Sequence, residues 1–167
     1  FCLSRGLGDV YKRQRLNGRD IHGLAVQDIC QQGLARSFQI TSLFRNSSIS
    51  ENIRLSLQAR HSARFDIWRD IDSFGDINGE TAELIRFLGL EGIEDIKAGD
   101  LSYGGQRLVD LGIALGSKPH VLLLDEPLAG LAAAERERVS NLIKNIAVRI
   151  PVLIVEHDVD RVLGICL

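Results

Sequence analysis

Short, wholly apolar runs alternate with longer amphipathic stretches along the chain, a pattern that predicts an α/β domain with parallel strands. Val121 to Leu124 (VLLL) and Val152 to Val155 (VLIV) contain no polar residue, which predicts strands buried on both faces in the middle of a sheet. Between them, Val139, Leu142, Ile143 and Ile146 recur at i, i+3, i+4 and i+7 behind a charged lead of Glu135, Arg136, Glu137 and Arg138. This is the pattern of an amphipathic crossover helix, and it ends before Pro151. Ser48 and Glu51 have capping-box spacing ahead of Ile53, Leu55 and Leu57, so a helix is expected to begin near residue 49. A second helix is expected over about Gly79 to Leu88, with Leu84, Phe87 and Leu88 on one side. The stretch 61–78 between these helices is polar and rich in Asp, and reads as a surface excursion. Ser37-Phe38-Gln39 reads as a strand end.

Composition adds bounds. The chain has 167 residues, 45% hydrophobic and 25% charged, ordinary values for one globular domain with a real core. Its 20 basic and 22 acidic residues give a net charge of −2. The basic residues are scattered, so neither a nucleic acid nor an anionic membrane surface is an expected partner. Cys2, Cys30 and Cys166 form no CxxC and no even set, which argues against a disulfide framework or a zinc site and for a reducing cytoplasm. No apolar run approaches the roughly 18 residues that span a bilayer. The chain contains no Met, and residues 2–14 (CLSRGLGDVYKRQ) show no apolar periodicity. The expectation from these two features is a fragment in which residues 1–14 are a non-native leader and 15–167 a truncated domain, with a helical part over about 48–117.

Four segments carry candidate chemistry. Leu101-Ser102-Tyr103-Gly104-Gly105-Gln106 precedes a helix through Leu108, Leu111 and Leu115. Ser102 can cap that helix, while the glycines let backbone N–H groups approach an anion at its positive end. A plain capped helix is the alternative reading of Ser-x-Gly-Gly. Asp125 and Glu126 follow the VLLL run, at the strand end where ligands sit in doubly wound sheets. There Asp125 could hold Mg²⁺ and Glu126 could orient an attacking water, although two acidic residues also simply solvate a strand end. His157 follows the second apolar run and could hydrogen-bond a phosphate. His22, His61 and His120 read as surface or satisfied polar residues. Gln39 offers a carboxamide to Mg²⁺ or water.

In this order the segments resemble the nucleotide-binding subunit of ABC transporters, over about Leu16 to Leu167. The resemblance implies a partial P-loop NTPase fold of the ABC ATPase type, a mostly parallel sheet flanked by helices plus a small α-helical lobe. It matches Gln39 to the Q-loop glutamine, and Ser102, Gly104, Gly105 and Gln106 to the signature motif that binds nucleotide in trans. Asp125 matches the Walker B aspartate, Glu126 the catalytic glutamate, and His157 the switch histidine. Leu128, Ala129, Gly130 and Leu131 look like the D-loop. The resemblance further implies ATP and Mg²⁺ as ligands and a head-to-tail pair of ATPase subunits on the cytoplasmic face of the membrane. Permease subunits would dock directly and a solute-binding protein indirectly.

Tyr103 stands where the commonest signature has glycine, as in branched-chain amino-acid transporters. Gly33 to Phe44, Asp125 to Leu131 and Glu156 to Cys166 also resemble that type, so an importer of branched-chain amino acids is the expected parent. Two departures matter. No aspartate follows Leu131. No GxxxxGK[ST] occurs, because none of Lys12, Lys97, Lys118 and Lys144 follows a glycine. The backbone cradle and lysine for the β- and γ-phosphates are therefore missing from this sequence, and the chain alone is expected to be inactive. Rival expectations are an ABC ATPase for lipid export or another solute, a soluble ABC ATPase acting on ribosomes or DNA, and a non-catalytic assembly module.

Overall fold

The computed structural model describes residues 14–37, 43–60 and 75–157. A short hairpin comes first, β1 (Arg15–Leu16) antiparallel to β2 (Arg19–Asp20). Asn17 and Gly18 turn it with φ of 49° and 79°, the Asn-Gly chemistry that two-residue hairpins favour. Helix α1 (Val26–Gln31) follows with no buried residue.

Strands β3 (Leu34–Ser37), β4 (Val121–Asp125) and β5 (Val152–Val155) form a parallel sheet in the order β3-β4-β5. Leu34 pairs with Val121 and Ser37 with Leu124, while Asp125 pairs with Val155. The three strands thus run level, and their carboxyl ends open on one edge of the sheet. Helix α5 (Ala133–Ala147) makes the crossover from β4 to β5, burying Val139, Leu142, Ile143 and Ile146 as the periodicity requires.

Strand β4 is central, with Leu122 and Leu124 at 0% and 1% exposure. The expectation that β5 also lies mid-sheet is not met among the described residues. It is the outer strand, and Leu153 and Val155 are 46% and 50% exposed, because no described strand pairs with its far side.

Helix α2 (Ile49–Gln58) starts where the capping box places it. Glu51 N–H donates to Ser48 Oγ at 3.1 Å, and Ser48 N–H donates to Glu51 Oε2 at 2.9 Å. The backbone donation from Ser48 also holds the Glu51 carboxyl below its ordinary pKa. Ile49, Ile53 and Leu57 line the buried face, each stabilising the fold by about 1.5–3 kcal/mol on burial. Helix α3 spans Gly75–Leu88, one turn longer than the expected start at Gly79. Ile77, Thr81, Ile85 and Leu88 form one buried stripe, so residues 75–78, read from sequence as surface excursion, are helical; 61–74 lie outside the described residues. A 3₁₀ turn (Ala98–Asp100) leads into α4 (Tyr103–Gly116).

One continuous apolar core joins Ala35, Leu122 and Leu124 of the sheet to Ile53, Leu88 and Val109 of the three helices. Inside it Ser37 Oγ donates to Asp110 Oδ2 at 2.6 Å, with both residues under a tenth exposed. This polar contact ties the end of β3 to the middle of α4.

Candidate functional site

Strand β4 ends in Asp125, and the next residue, Glu126, turns the chain with φ of +47°. That conformation is unfavourable for a residue with a side chain and is held only where the surroundings fix it. Here Glu126 N–H donates to Val155 O at 2.8 Å, and Ala129 N–H donates to Glu126 O at 3.1 Å. The carboxylate is thereby carried to the mouth of the sheet. Because β4 and β5 end level, His157 arrives beside it, with Nε2 2.8 Å from Glu126 Oε1. The Glu126 side chain is 18% exposed and the imidazole 86%, so the pair lies at the surface with the carboxylate as its sheltered member.

Asp125 is held from the other neighbouring strand. Arg36 Nη2 donates to Asp125 Oδ2 at 2.8 Å across β3 and β4. Among the described residues no group of three or more His, Cys, Asp or Glu side chains converges on a metal position. The donor set still suits Mg²⁺, which is commonly held through one or two carboxylates together with substrate phosphates rather than in an all-protein cage. Gln39 lies outside the described residues, so its place relative to Asp125 is not part of this geometry.

The Ser102 turn is built from helix α4. Ser102 is the N-cap, accepting Gly105 N–H on Oγ at 3.2 Å. Its own hydroxyl donates to Glu135 Oε1 at 2.7 Å. Gly104 is buried under the same carboxyl group: a Cβ built there would lie 2.5 Å from Glu135 Cδ and 2.6 Å from Oε1. The Ser102 hydroxyl thus already holds a carboxylate oxygen at the N-terminus of α4. Gln106 is only 8% exposed and faces inward, with Nε2 donating to Leu101 O at 3.0 Å and Oε1 accepting from Arg45 at 3.4 Å. It braces the turn from behind.

Leu128 to Leu131 link the acidic pair to α5. Leu128 and Leu131 are buried at 1% and 4%, and Glu156 Oε1 accepts Leu128 N–H at 3.1 Å. Tyr103 packs on Gly130, where a Cβ would stand 3.3 Å from the ring, and the Arg107 guanidinium carbon lies over the same ring, 5.4 Å from its centroid. The Ser102 turn is therefore fastened to the segment that follows Glu126.

The structure brings Asp125, Glu126 and His157 to one edge, and Ser102, Gly104 and Gly105 to a second turn joined to Leu128–Leu131. No local sequence signal ties Arg36, Glu135 or Glu156 to this region. Their partners lie 89, 33 and 28 residues away, and no local pattern announces such pairs.

Residues 8–129 match the family model described as ABC transporter. The "High-affinity branched-chain amino acid transport ATP-binding protein LivG" of Escherichia coli (strain K12) is 30% identical over 157 residues, covering 90% of this chain and 62% of that protein. The "Lipopolysaccharide export system ATP-binding protein LptB" of Acidithiobacillus ferridurans is 31% identical over 152 residues, covering 90% and 59%. A solved ATP-binding cassette of an ABC transporter in its ADP conformation superposes with a TM-score of 0.75 at 27% identity, over 92% of this chain and 62% of that one. The chain spans less than two thirds of the length of these relatives. A parallel sheet with Asp125 and Glu126 at the tip of its central strand and a capped Ser-x-Gly-Gly helix beside it, matched by the family model over most of its length, is the fold of an ABC ATPase cassette, and the chain belongs to the ABC transporter family.

Proposed function

We propose that this chain supplies catalytic and trans-acting surfaces of an ATP-hydrolysing ABC transporter subunit, with branched-chain amino acids as the imported cargo. The observation that carries the reading is the Glu126–His157 pair at the tip of the central strand, 2.8 Å apart and next to Asp125. In it Glu126 orients the attacking water and accepts its proton, and His157 holds the γ-phosphate oxygens. Asp125, with Gln39, would hold Mg²⁺, which would supply positive charge against the phosphate oxygens. Arg36, donating to Asp125 Oδ2 at 2.8 Å, holds that carboxylate in place beside the pair.

Ser102 and the N–H groups near Gly104 and Gly105 act on the nucleotide of a second subunit, so two such chains close head to tail. No helix among the described residues is long and apolar enough to cross a membrane. The subunit works on the cytoplasmic face by docking to permease subunits, which a solute-binding protein serves in turn.

Glu126→Gln in a form carrying a GxxxxGK[ST] loop tests the assignment. Turnover should fall by about 10²–10⁴, the range of general-base assistance, and near wild-type turnover would refute it. For the chain as it stands, calorimetry should detect no ATP binding at millimolar nucleotide, because the β,γ-phosphate cradle is missing; micromolar affinity would overturn that. The likeness to the lipopolysaccharide-export protein supports a second reading of the cargo. Uptake of labelled leucine by vesicles containing the complete transporter separates the two, since an exporter leaves uptake unchanged.

A further inference from the structure

We propose that Glu135 is a displaceable internal anion, which holds the Ser102–Gly105 turn closed until a phosphate competes for it. This rests on the reading that the turn receives a nucleotide phosphate. Glu135 is the third residue of α5, and its carboxylate lies between the N-termini of two helices. Oε1 accepts the Ser102 hydroxyl of α4 at 2.7 Å, and Oε2 accepts Ala132 N–H at the start of α5 at 3.4 Å. Ser102 has one proton to give, and Glu135 takes it; the oxygen's accepting side is used by Gly105 N–H.

The absent side chain of Gly104 makes the seat, since any Cβ would collide with the Glu135 carboxyl. Ser102 is exposed and Glu135 only partly buried, so an outside anion can reach the turn. Two oxyanions cannot share one hydroxyl proton, and their like charges repel at this range. Phosphate entry therefore expels Glu135. The expulsion frees the first turn of α5, which directly follows Leu128–Leu131, so occupancy of the turn is relayed to the loop beyond Glu126.

Hydrogen exchange of the 102–107 peptide, read by mass spectrometry against inorganic phosphate at constant ionic strength, tests this on the full chain. Wild type should gain protection only at high phosphate. Glu135→Gln keeps the shape and loses the charge, and should lower the phosphate midpoint about tenfold or more, as loss of a charge-assisted competitor implies. Glu135→Ala should do the same, while Ser102→Ala should lose the response. A Gln variant matching wild type while the Ala variant shifts would show packing rather than charge at work, and would overturn the proposal. Equal midpoints for all Glu135 variants, with Ser102→Ala unresponsive, would also overturn it but leave the turn as a phosphate seat. No response in any form would remove the seat and the proposal together.

Discussion

Ser37→Ala should weaken the fold well beyond what its size suggests. The hydroxyl donates to Asp110 at 2.6 Å inside the core, with Ser37 7% and Asp110 5% exposed. Water does not screen a contact this deep, and hydrogen bonds to carboxylates are worth about 1.5–3 kcal/mol. For a domain of this length each kcal/mol moves the melting temperature by about 2–4 °C, so a drop of about 3–12 °C is expected. The contact also has a position: Ser37 ends β3 two residues before Gln39, and Asp110 lies on the helix that Ser102 caps. Loss should be seen by thermal and urea unfolding followed by circular dichroism, with Ser117→Ala as control. Among the described residues the Ser117 hydroxyl donates to Ala114 O within its own helix end, at 2.8 Å, and its removal should cost no more than about 0.5 kcal/mol. A Ser37→Ala melting point within about 1 °C of wild type would refute the claim that this bond joins sheet to helix.

Three further substitutions probe the frame. Ser48→Ala removes the serine half of the capping box on α2 and should cost about 1 kcal/mol in urea unfolding. Gly33→Ala should cost about 2 kcal/mol or more, because φ there is +93° and the new Cβ would stand 2.7 Å from the His120 ring; a neutral result in the same assay would contradict that geometry. The Glu80 carboxyl is held below its ordinary value of 4.5, first by the Lys118 ammonium and then by Arg60. A lowered folded-state pKa stabilises above the unfolded value and is lost as pH falls through the folded one. Wild type should therefore lose stability below about pH 4.5 more steeply than Glu80→Gln; parallel acid limbs would count against the ion pairs.

The sequence disclosed what periodicity and local chemistry encode. The apolar run of β4, the stripe Val139–Ile146 of α5 and the Ser48/Glu51 cap all stand where pattern put them, because each signal is contained within its own element. The hairpin leaves no strand signal although Asn17-Gly18 marks its turn, since strands of two residues are too short for alternation to register. Helix α1 buries nothing and so has no apolar face to detect. The inner strand expected of β5 followed from its composition, but its neighbours are a tertiary matter. The same holds at the site. Two level strands bring Glu126 to His157, and the paired apolar runs made that adjacency legible. The Arg36–Asp125 and Ser102–Glu135 contacts join distant segments through single exposed or half-exposed side chains, which no helix or strand period records.

The proposed chemistry requires that Glu126 of one subunit and Ser102 of another form one site. Subunit complementation in the phosphate-loop-bearing form is the decisive experiment. Ser102→Arg and Glu126→Gln subunits should each be inactive alone. When mixed, half the dimers are mixed pairs, and in each of these one of two sites combines the intact Glu126 of one subunit with the intact Ser102 of the other. ATPase activity should then recover to about a quarter of wild type for independent sites in a two-fold assembly. Activity that stays at the level of the separate variants would contradict a shared site.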